Sequence, residues 1–315
     1  MKQALVTGGA GFIGAHLAKK LLAEGWGVTI VDNLSTGFKE NLPPEADFTL
    51  LDISKDDFIM SLPKRPFDTI FHLAAQSSGE ISFDNPAYDL KTNCLGTVTL
   101  LDWALKNGTK RFIYTSSMSI YGDQEVQPVK ETAIPSPKSF YGVGKLASEA
   151  YIRIYSSMGL NTTSLRLFNV YGPGQNMANL RQGMVSIYMA YILKNEPILV
   201  KGSADRYRDL VYIDDVVNAY MGCLENPNTY GKSYNVASGI RTTVGELLSE
   251  ELKAFGQKPS KYPVQFKGNT PGDTFGIVAD VTAIKLDIGW TPSVKLSDGL
   301  KRMHDWVLQK KMNKY

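Results

Sequence analysis

Residues 2–14 read Lys2-Gln3-Ala4-Leu5-Val6-Thr7-Gly8-Gly9-Ala10-Gly11-Phe12-Ile13-Gly14. The first six suit a short, buried strand of the parallel type. The glycines follow at once, and an amphipathic helical pattern runs on through Leu22. Strand, glycine turn and helix form the context of a dinucleotide fingerprint. Gly8 can take a positive φ in a tight turn, Gly11 lets the backbone approach a pyrophosphate, and Gly14 lets the helix lie close on the strand. The first N–H groups of the helix, at Phe12 and Ile13, have no partner within it, and its dipole favours an anion. The next strand, residues 27–31, ends in Asp32. A carboxylate there would accept from adenosine ribose hydroxyls and repel a 2′-phosphate, so NAD is expected rather than NADP. A bare glycine triplet would suit a surface turn equally well; its flanking elements and Asp32 favour the nucleotide reading.

Working outward, strand patterns recur at residues 48–51, 69–72 and 111–115, with helical patterns between several of them. That alternation predicts an α/β, doubly wound parallel sheet. The polar turn Asn33-Leu34-Ser35-Thr36-Gly37 is placed to meet the adenosine end. Asp52, beside Ile53, suits either an adenine amino group or a helix N-cap. Leu73-Ala74-Ala75-Gln76 ends the fourth strand in small residues, leaving room for a ligand at the carboxyl edge. Residues 86–106 read as one long helix, with Asn93 as an interior anchor or an exposed polar residue. Residues 141–158 form a second long helix with apolar positions on more than one face, as if covered on both sides. Beyond residue 165 elements shorten and loops lengthen. The expected division is a first domain of residues 1–168 plus about 208–238, returning to the same sheet, and a smaller discontinuous α/β domain of residues 169–207 and 239–315.

Composition bounds the function. The chain has 315 residues, 43% of them hydrophobic, and a net charge of +3. That balance gives no reason to expect nucleic acid or an anionic membrane as partner. Two cysteines form no disulfide framework, and three histidines lack ligand spacing, so no metal is expected. No stretch reaches a membrane span, and the apolar N-terminus is the nucleotide loop rather than a leader. A cytoplasmic protein is the expectation.

The chemistry centres on Ser117, Tyr141 and Lys145. Ser116-Ser117 closes the fifth strand, where ligands sit, and Tyr141 and Lys145 are one helical turn apart on a shared face. A tyrosine acting as a base at pH 7 must fall from about 10 to about 7, roughly 4 kcal/mol. Neighbouring positive charge does this, from Lys145 and from an oxidised nicotinamide. Lys145 can also bond the nicotinamide ribose, and Ser117 can hold the reacting oxygen.

With these residues in hand, the sequence resembles the extended short-chain dehydrogenase/reductases of the nucleotide-sugar epimerase/dehydratase group. The motifs span nearly the whole chain: TGGAGFIG (7–14), DNLSTG (32–37), HLAAQ (72–76), N-x-x-G-T (93–97), SSMSIYG (116–122), YGVGK (141–145), FNVYGPGQ (168–175), RDLVYIDD (208–215) and AD…GW-x-P (279–292). The pattern is closest to the UDP-glucose 4-epimerase type. The resemblance implies a Rossmann-type fold. It implies NAD bound by Gly8, Gly11, Phe12, Ile13, Gly14, Asp32, Asn33, Ser35, Thr36, Gly37, Asp52, Ile53, Leu73, Ala74, Ala75, Gln76, Asn93, Ser116, Tyr141 and Lys145. It further implies a nucleotide-sugar substrate touched by Ser117, Tyr141, Asn169 and Arg208, and a homodimer through the two long helices. The implied reaction inverts a sugar carbon, usually C4, through a 4-keto intermediate. A 4,6-dehydratase or decarboxylase is the alternative, yet those carry an acid after the active-site Ser/Thr where this chain has Met118-Ser119; a non-catalytic NAD-binding protein would usually have lost Tyr141 or Lys145. Two positions depart from the family pattern. Thr270 stands where a second diphosphate-binding arginine belongs, with Arg206, Arg181 or Arg241 as replacements. Lys201 stands where an aromatic often lies under the base. UDP is the expected carrier, with TDP, CDP and GDP left open.

Overall fold

The computed structural model describes residues 1–312. Its centre is β1 (Gln3–Thr7), four of whose five residues are buried, as a strand covered on both faces should be. Around it lie β2 (Gly27–Asp32), β3 (Asp47–Leu50), β4 (Thr69–His72), β5 (Arg111–Ser117) and β6 (Asn161–Leu167). With the much later strand Lys232–Val236 they make a seven-stranded sheet, every neighbouring pair parallel. Strand order reverses between β1 and β4, which opens a crevice above the carboxyl ends of both. This is the doubly wound α/β fold expected.

Helix α1 (Phe12–Ala23) covers one face. On the other lie α2 (Pro86–Leu90), a π-helical turn at Lys91–Leu95, α3 (Gly96–Lys106) and α4 (Phe140–Ser157). The helix expected over 86–106 is thus continuous but widened at its middle. At this turn the carbonyl of Asn93 accepts from Thr97 Oγ1 (2.8 Å) and from Ser148 Oγ (2.7 Å), and the second bond ties the turn to α4. Asn93 itself is interior, not exposed.

The second half holds β7 (Asn169–Tyr171), α5 (Met184–Lys194), β8 (Ile198–Val200), β9 (Tyr207–Tyr212), α6 (Ile213–Leu224), β10 (Lys232–Val236), β11 (Arg241–Thr243), α7 (Val244–Ala254), β12 (Val264–Phe266), α8 (Thr282–Ile288) and α9 (Leu296–Met312). Only part of 208–238 returns to the large sheet. β10 pairs with β6 there and α6 packs on α1, but β9 stands in a small sheet between β7 and β11. Its pattern suits any buried strand, and the partner is decided by β7, which leaves β6 by a short break at Phe168.

Two carboxylates of the RDLVYIDD run fasten distant chain. Asp209 accepts from Ser238 N–H and Oγ–H, Gly239 N–H and Ala279 N–H. Asp215 accepts from Ser293 N–H and Oγ–H and Val294 N–H. One apolar core passes without a break from Val6 and Leu17, through Tyr212 and Val216, to Trp290 and Met303, and joins the two sheets.

Candidate active site

The glycine turn is shaped by what cannot fit in it. Gly8 has φ +72°, and a Cβ there would lie 2.7 Å from the backbone nitrogen of Ala74. A Cβ on Gly14 would lie 2.3 Å from the Gly8 carbonyl oxygen. Helix α1 is therefore seated directly on the turn, with Gly11 as its N-cap and Phe12 and Ile13 facing the crevice. Thr7, passed over in the sequence, proves to organise the crevice wall. Its hydroxyl oxygen accepts from the N–H of Leu73 and of Ala74 (both 3.1 Å) and pairs with His72 Nδ1 at 2.7 Å. His72 also meets Thr97 Oγ1 at 2.9 Å, and burial, helped by Lys145, holds it neutral with a pKa of about 3.

Asp32 accepts from Ala10 N–H (3.0 Å) and Leu34 N–H (2.7 Å). Burial raises its pKa and the backbone donors oppose the rise. Its carboxylate borders a cavity of about 100 Å³ with Asn33, Ser35, Thr36, Ile53, Ala74 and Ala75. Gly37 lies against Ala10, where a Cβ would meet the backbone at 2.8 Å. Asp52 does not line this cavity; its Oδ1 accepts from Ser54 N–H and Oγ–H in a turn, and no α-helix follows for it to cap. Two further residues turn inward. Gln76 spends its amide on Ser78 and Asp89. Ser116 Oγ donates to Glu149 (2.5 Å), whose carboxylate also holds Arg166 at 2.7 Å in a buried pair. Asn93 Nδ2 donates to the Gln76 carbonyl (2.9 Å) and to Asp89 (3.0 Å). The glycine cradle, the uncapped start of α1 and the cavity beside Asp32 together fit a dinucleotide.

A cleft of about 480 Å³ adjoins it, running from Gly8 past Ser117, Tyr141 and Lys145 to Asn169, Arg206, Arg208 and Asp273. Ser117 ends β5; α4 starts at the Ser139 N-cap, whose hydroxyl accepts from Gly142 N–H (3.1 Å). This places Tyr141 in the first turn of α4, where it lines the cleft with Ser117, whose Oγ donates to Ser119 Oγ (3.1 Å). Lys145 is buried beneath it; its Nζ donates to the Thr115 carbonyl (2.8 Å) and lies 5.7 Å from the centre of the Tyr141 ring. Burial pushes Tyr141 up to about 12, against the pull of Ser117, and drives Lys145 down to about 7, opposed by Asp89 and Glu149. Met118 and Ser119 line the cleft next to Ser117 and bring no acid to it. Asn169, at the start of β7, presents a buried Oδ1 with no hydrogen-bond partner.

The mouth of the cleft is strapped by polar contacts that no local pattern announced. Arg181 pairs with Glu80 and Asp84, Lys201 pairs with Glu80, and Gln182 Nε2 donates to the Ser77 carbonyl (2.9 Å). Arg241 stands apart, stacked over Tyr207 at 4.4 Å. Among the described residues no cluster of His, Cys, Asp and Glu suits a metal ion, and no helix is long and apolar enough to cross a membrane.

Known proteins share this fold over nearly the whole chain. The model of the NAD dependent epimerase/dehydratase family matches residues 4–237. The UDP-glucose 4-epimerase of Mycolicibacterium smegmatis is 34% identical, over 97% of this chain and 98% of its own. The structure of UDP-glucose 4-epimerase from Thermotoga maritima with UDP-glucose is 37% identical, with a TM-score of 0.92 over 98% of this chain and 99% of that one. The Thermus thermophilus UDP-glucose 4-epimerase complex with NAD is 34% identical, with a TM-score of 0.89 over 96% and 98%.

Proposed function

Because this chain belongs to the NAD dependent epimerase/dehydratase family, we propose that it inverts one carbon, C4, of the sugar in a nucleoside diphosphate hexose, with UDP as the carrier. It is an NAD-dependent enzyme. The observation that carries the reading is Ser117, Tyr141 and Lys145 meeting in one cleft, with Met118-Ser119 beside them in place of an acid. A dehydratase or decarboxylase needs that acid for its extra proton transfer. The UDP-glucose in the Thermotoga maritima structure supports UDP.

In this reading Gly8, Gly11, Phe12, Ile13 and Gly14 cradle the pyrophosphate of NAD. Asp32, Asn33, Ser35, Thr36 and Ile53 surround the adenosine, with Gly37 seated behind them on Ala10 and Asp52 outside the cavity, its Oδ1 given to Ser54. Leu73, Ala74, Ala75 and Ser116 form the remaining wall, Ser116 by its backbone, and the interior residues Gln76 and Asn93 brace it from behind. Bound NAD⁺ would supply a reversible hydride acceptor and a positive charge beside the phenol. Tyr141 takes the proton from the C4 hydroxyl as that carbon is oxidised, and returns it when the carbon is reduced on its other face. Ser117 holds the reacting oxygen on the phenol's path. Lys145, cationic, lowers the cost of the phenolate. Asn169 and Arg208 hold the nucleotide side of the substrate while the keto sugar turns over. No cofactor is consumed overall.

We assign residues 1–168 with about 208–238 to the NAD-binding domain and the remainder to the nucleotide-sugar domain; β10 and α6 support this, while β9 leans towards the second unit. We also infer a homodimer. Val143, Tyr151 and Ile154 on α4, with Met158 at its C-cap, recur at helical spacing and are 42–56% exposed; Leu90 and Leu95, on the neighbouring helix, are exposed to a similar degree. The free, buried Cys94 and Cys223 support a reducing, cytoplasmic setting.

The test is a panel of UDP-, TDP-, CDP- and GDP-hexoses followed by NMR. An inverted sugar with no net NADH is expected. A 4-keto-6-deoxy product would replace this reading with the dehydratase.

A further inference from the structure

Arg206 immediately precedes β9 and Arg208 is the strand's second residue, a spacing of two that suits side chains on one side of an extended chain. Both reach a single carboxylate: Arg206 Nη2 donates to Asp273 Oδ2, and Arg208 Nη2 to Asp273 Oδ1 at 2.5 Å. Each is fixed again by backbone. Arg206 Nη1 donates to the Lys201 carbonyl (2.6 Å); Arg208 Nη1 donates to the carbonyls of Tyr207 (2.6 Å) and Phe275 (3.3 Å), and its Nη2 also to that of Thr274 (3.2 Å). Gly202 makes room for the first, since a Cβ there would lie 2.5 Å from Arg206 Nη1. The arginine side chains are 10% and 3% exposed, and all three residues line the cleft.

The charges at this end do not cancel. Two guanidiniums face one carboxylate, leaving one positive charge below the surface. The other cations of the outer cleft are answered, Arg181 by Glu80 and Asp84 and Lys201 by Glu80. Arg241 is held on Tyr207 and lies outside the cleft lining. Arg208 spends its Nη donors on Asp273 and on backbone carbonyls, whereas Arg206 gives the protein only one bond from each Nη. Excess charge with unspent donors on Arg206 suits phosphate oxygens, and two arginines suit two phosphates better than one. We propose that Arg206 is a second diphosphate ligand beside Arg208, and that Asp273 is the positioning residue that holds both guanidiniums on one anchor. The proposal rests on the nucleoside diphosphate sugar reading above. It also accounts for Thr270: the loop of residues 270–273 delivers the anchoring carboxylate, while β9 and the residue just before it supply the two cations.

The test uses the full chain with NAD bound. UDP, TDP, CDP and GDP are titrated first into the wild type, and the tightest is compared with its own monophosphate in Arg206→Gln, Arg206→Lys and Asp273→Asn. Arg206→Gln should weaken the diphosphate by about tenfold to a hundredfold, the worth of one or two charge-assisted bonds, and the monophosphate much less. KM for the sugar nucleotide should rise by a similar factor with a smaller fall in kcat. Arg206→Lys, which keeps the charge and loses the fork, should lie between. Asp273→Asn should raise KM in the same sense. Should Arg206→Gln not fold, the diphosphate-to-monophosphate ratio in Arg206→Lys decides. Unchanged diphosphate affinity, or an equal loss for both nucleotides, would overturn the role of Arg206 and leave the epimerase reading standing. A wild type that binds none of the four diphosphates would overturn both together.

Discussion

Burial drives the two groups at the heart of the cleft in opposite directions, Tyr141 up to about 12 and Lys145 down to about 7. The first shift puts a phenolate out of reach at neutral pH, and the second leaves the amine only partly charged to bring it down. The site therefore depends on added positive charge to bring the phenol down, which links catalysis to the oxidised cofactor. Tyr141→Phe should cut kcat by about a hundredfold or more, the usual worth of a positioned acid–base group, while the purified protein keeps its bound NAD. Lys145 leaves a mark on stability as well. Its folded pKa lies below the unfolded value of 10.5, so between pH 7 and 10.5 the unfolded chain binds more protons. Stability contributed by this group accordingly grows as pH rises through that window. Chemical denaturation of wild type and Lys145→Met across pH 7 to 10 should show the wild type gaining on the variant; a constant difference would mean that the amine is not held deprotonated. Turnover should be lost in the variant throughout.

At the scale of elements, α1 is tied to the turn by the absence of a side chain at Gly14. Gly14→Ala would drive a methyl against the Gly8 carbonyl and lift the helix start from the turn. NAD affinity measured by calorimetry should fall at least tenfold, since the backbone donors and the helix dipole retreat together. This element was legible in sequence because everything that shapes it is local: glycines at fixed offsets, an apolar strand before and a carboxylate at the end of the next strand. Tyr141 and Lys145 were legible for the same reason. Contacts made across long separations were not. Arg206 meets Asp273 across 67 residues, and Arg181 meets Glu80 across 101, with no spacing rule to connect them. The π turn at Asn93 escaped notice because its apolar periodicity still reads as helix, and β9 because a buried strand carries no label for its sheet. Thr7 looked like an ordinary strand residue until the N–H groups it receives came into view.

For the whole molecule, the shared core and the strap at the cleft mouth join the two halves, while the exposed stripe on α4 faces outward. Ile154→Glu should convert a dimer to a monomer in sedimentation velocity, because a charge at the centre of an apolar face cannot be desolvated without a partner. A wild type that sediments as a monomer would remove that interface. The fastening by Asp215 also has a consequence in time. Its acceptor oxygens wait for a backbone donor 78 residues further along the chain, at Ser293. At ribosomal speeds that is roughly 4 to 15 seconds of synthesis. Over part of the same interval the outer edge of β6 stays open, until β10 is made to cover it. An emerging polypeptide thus carries a finished nucleotide cradle, a bare strand edge and unanchored carboxylates all at once. A bare strand edge is a template for pairing, so mispairing between newly made copies is expected at that stage rather than later.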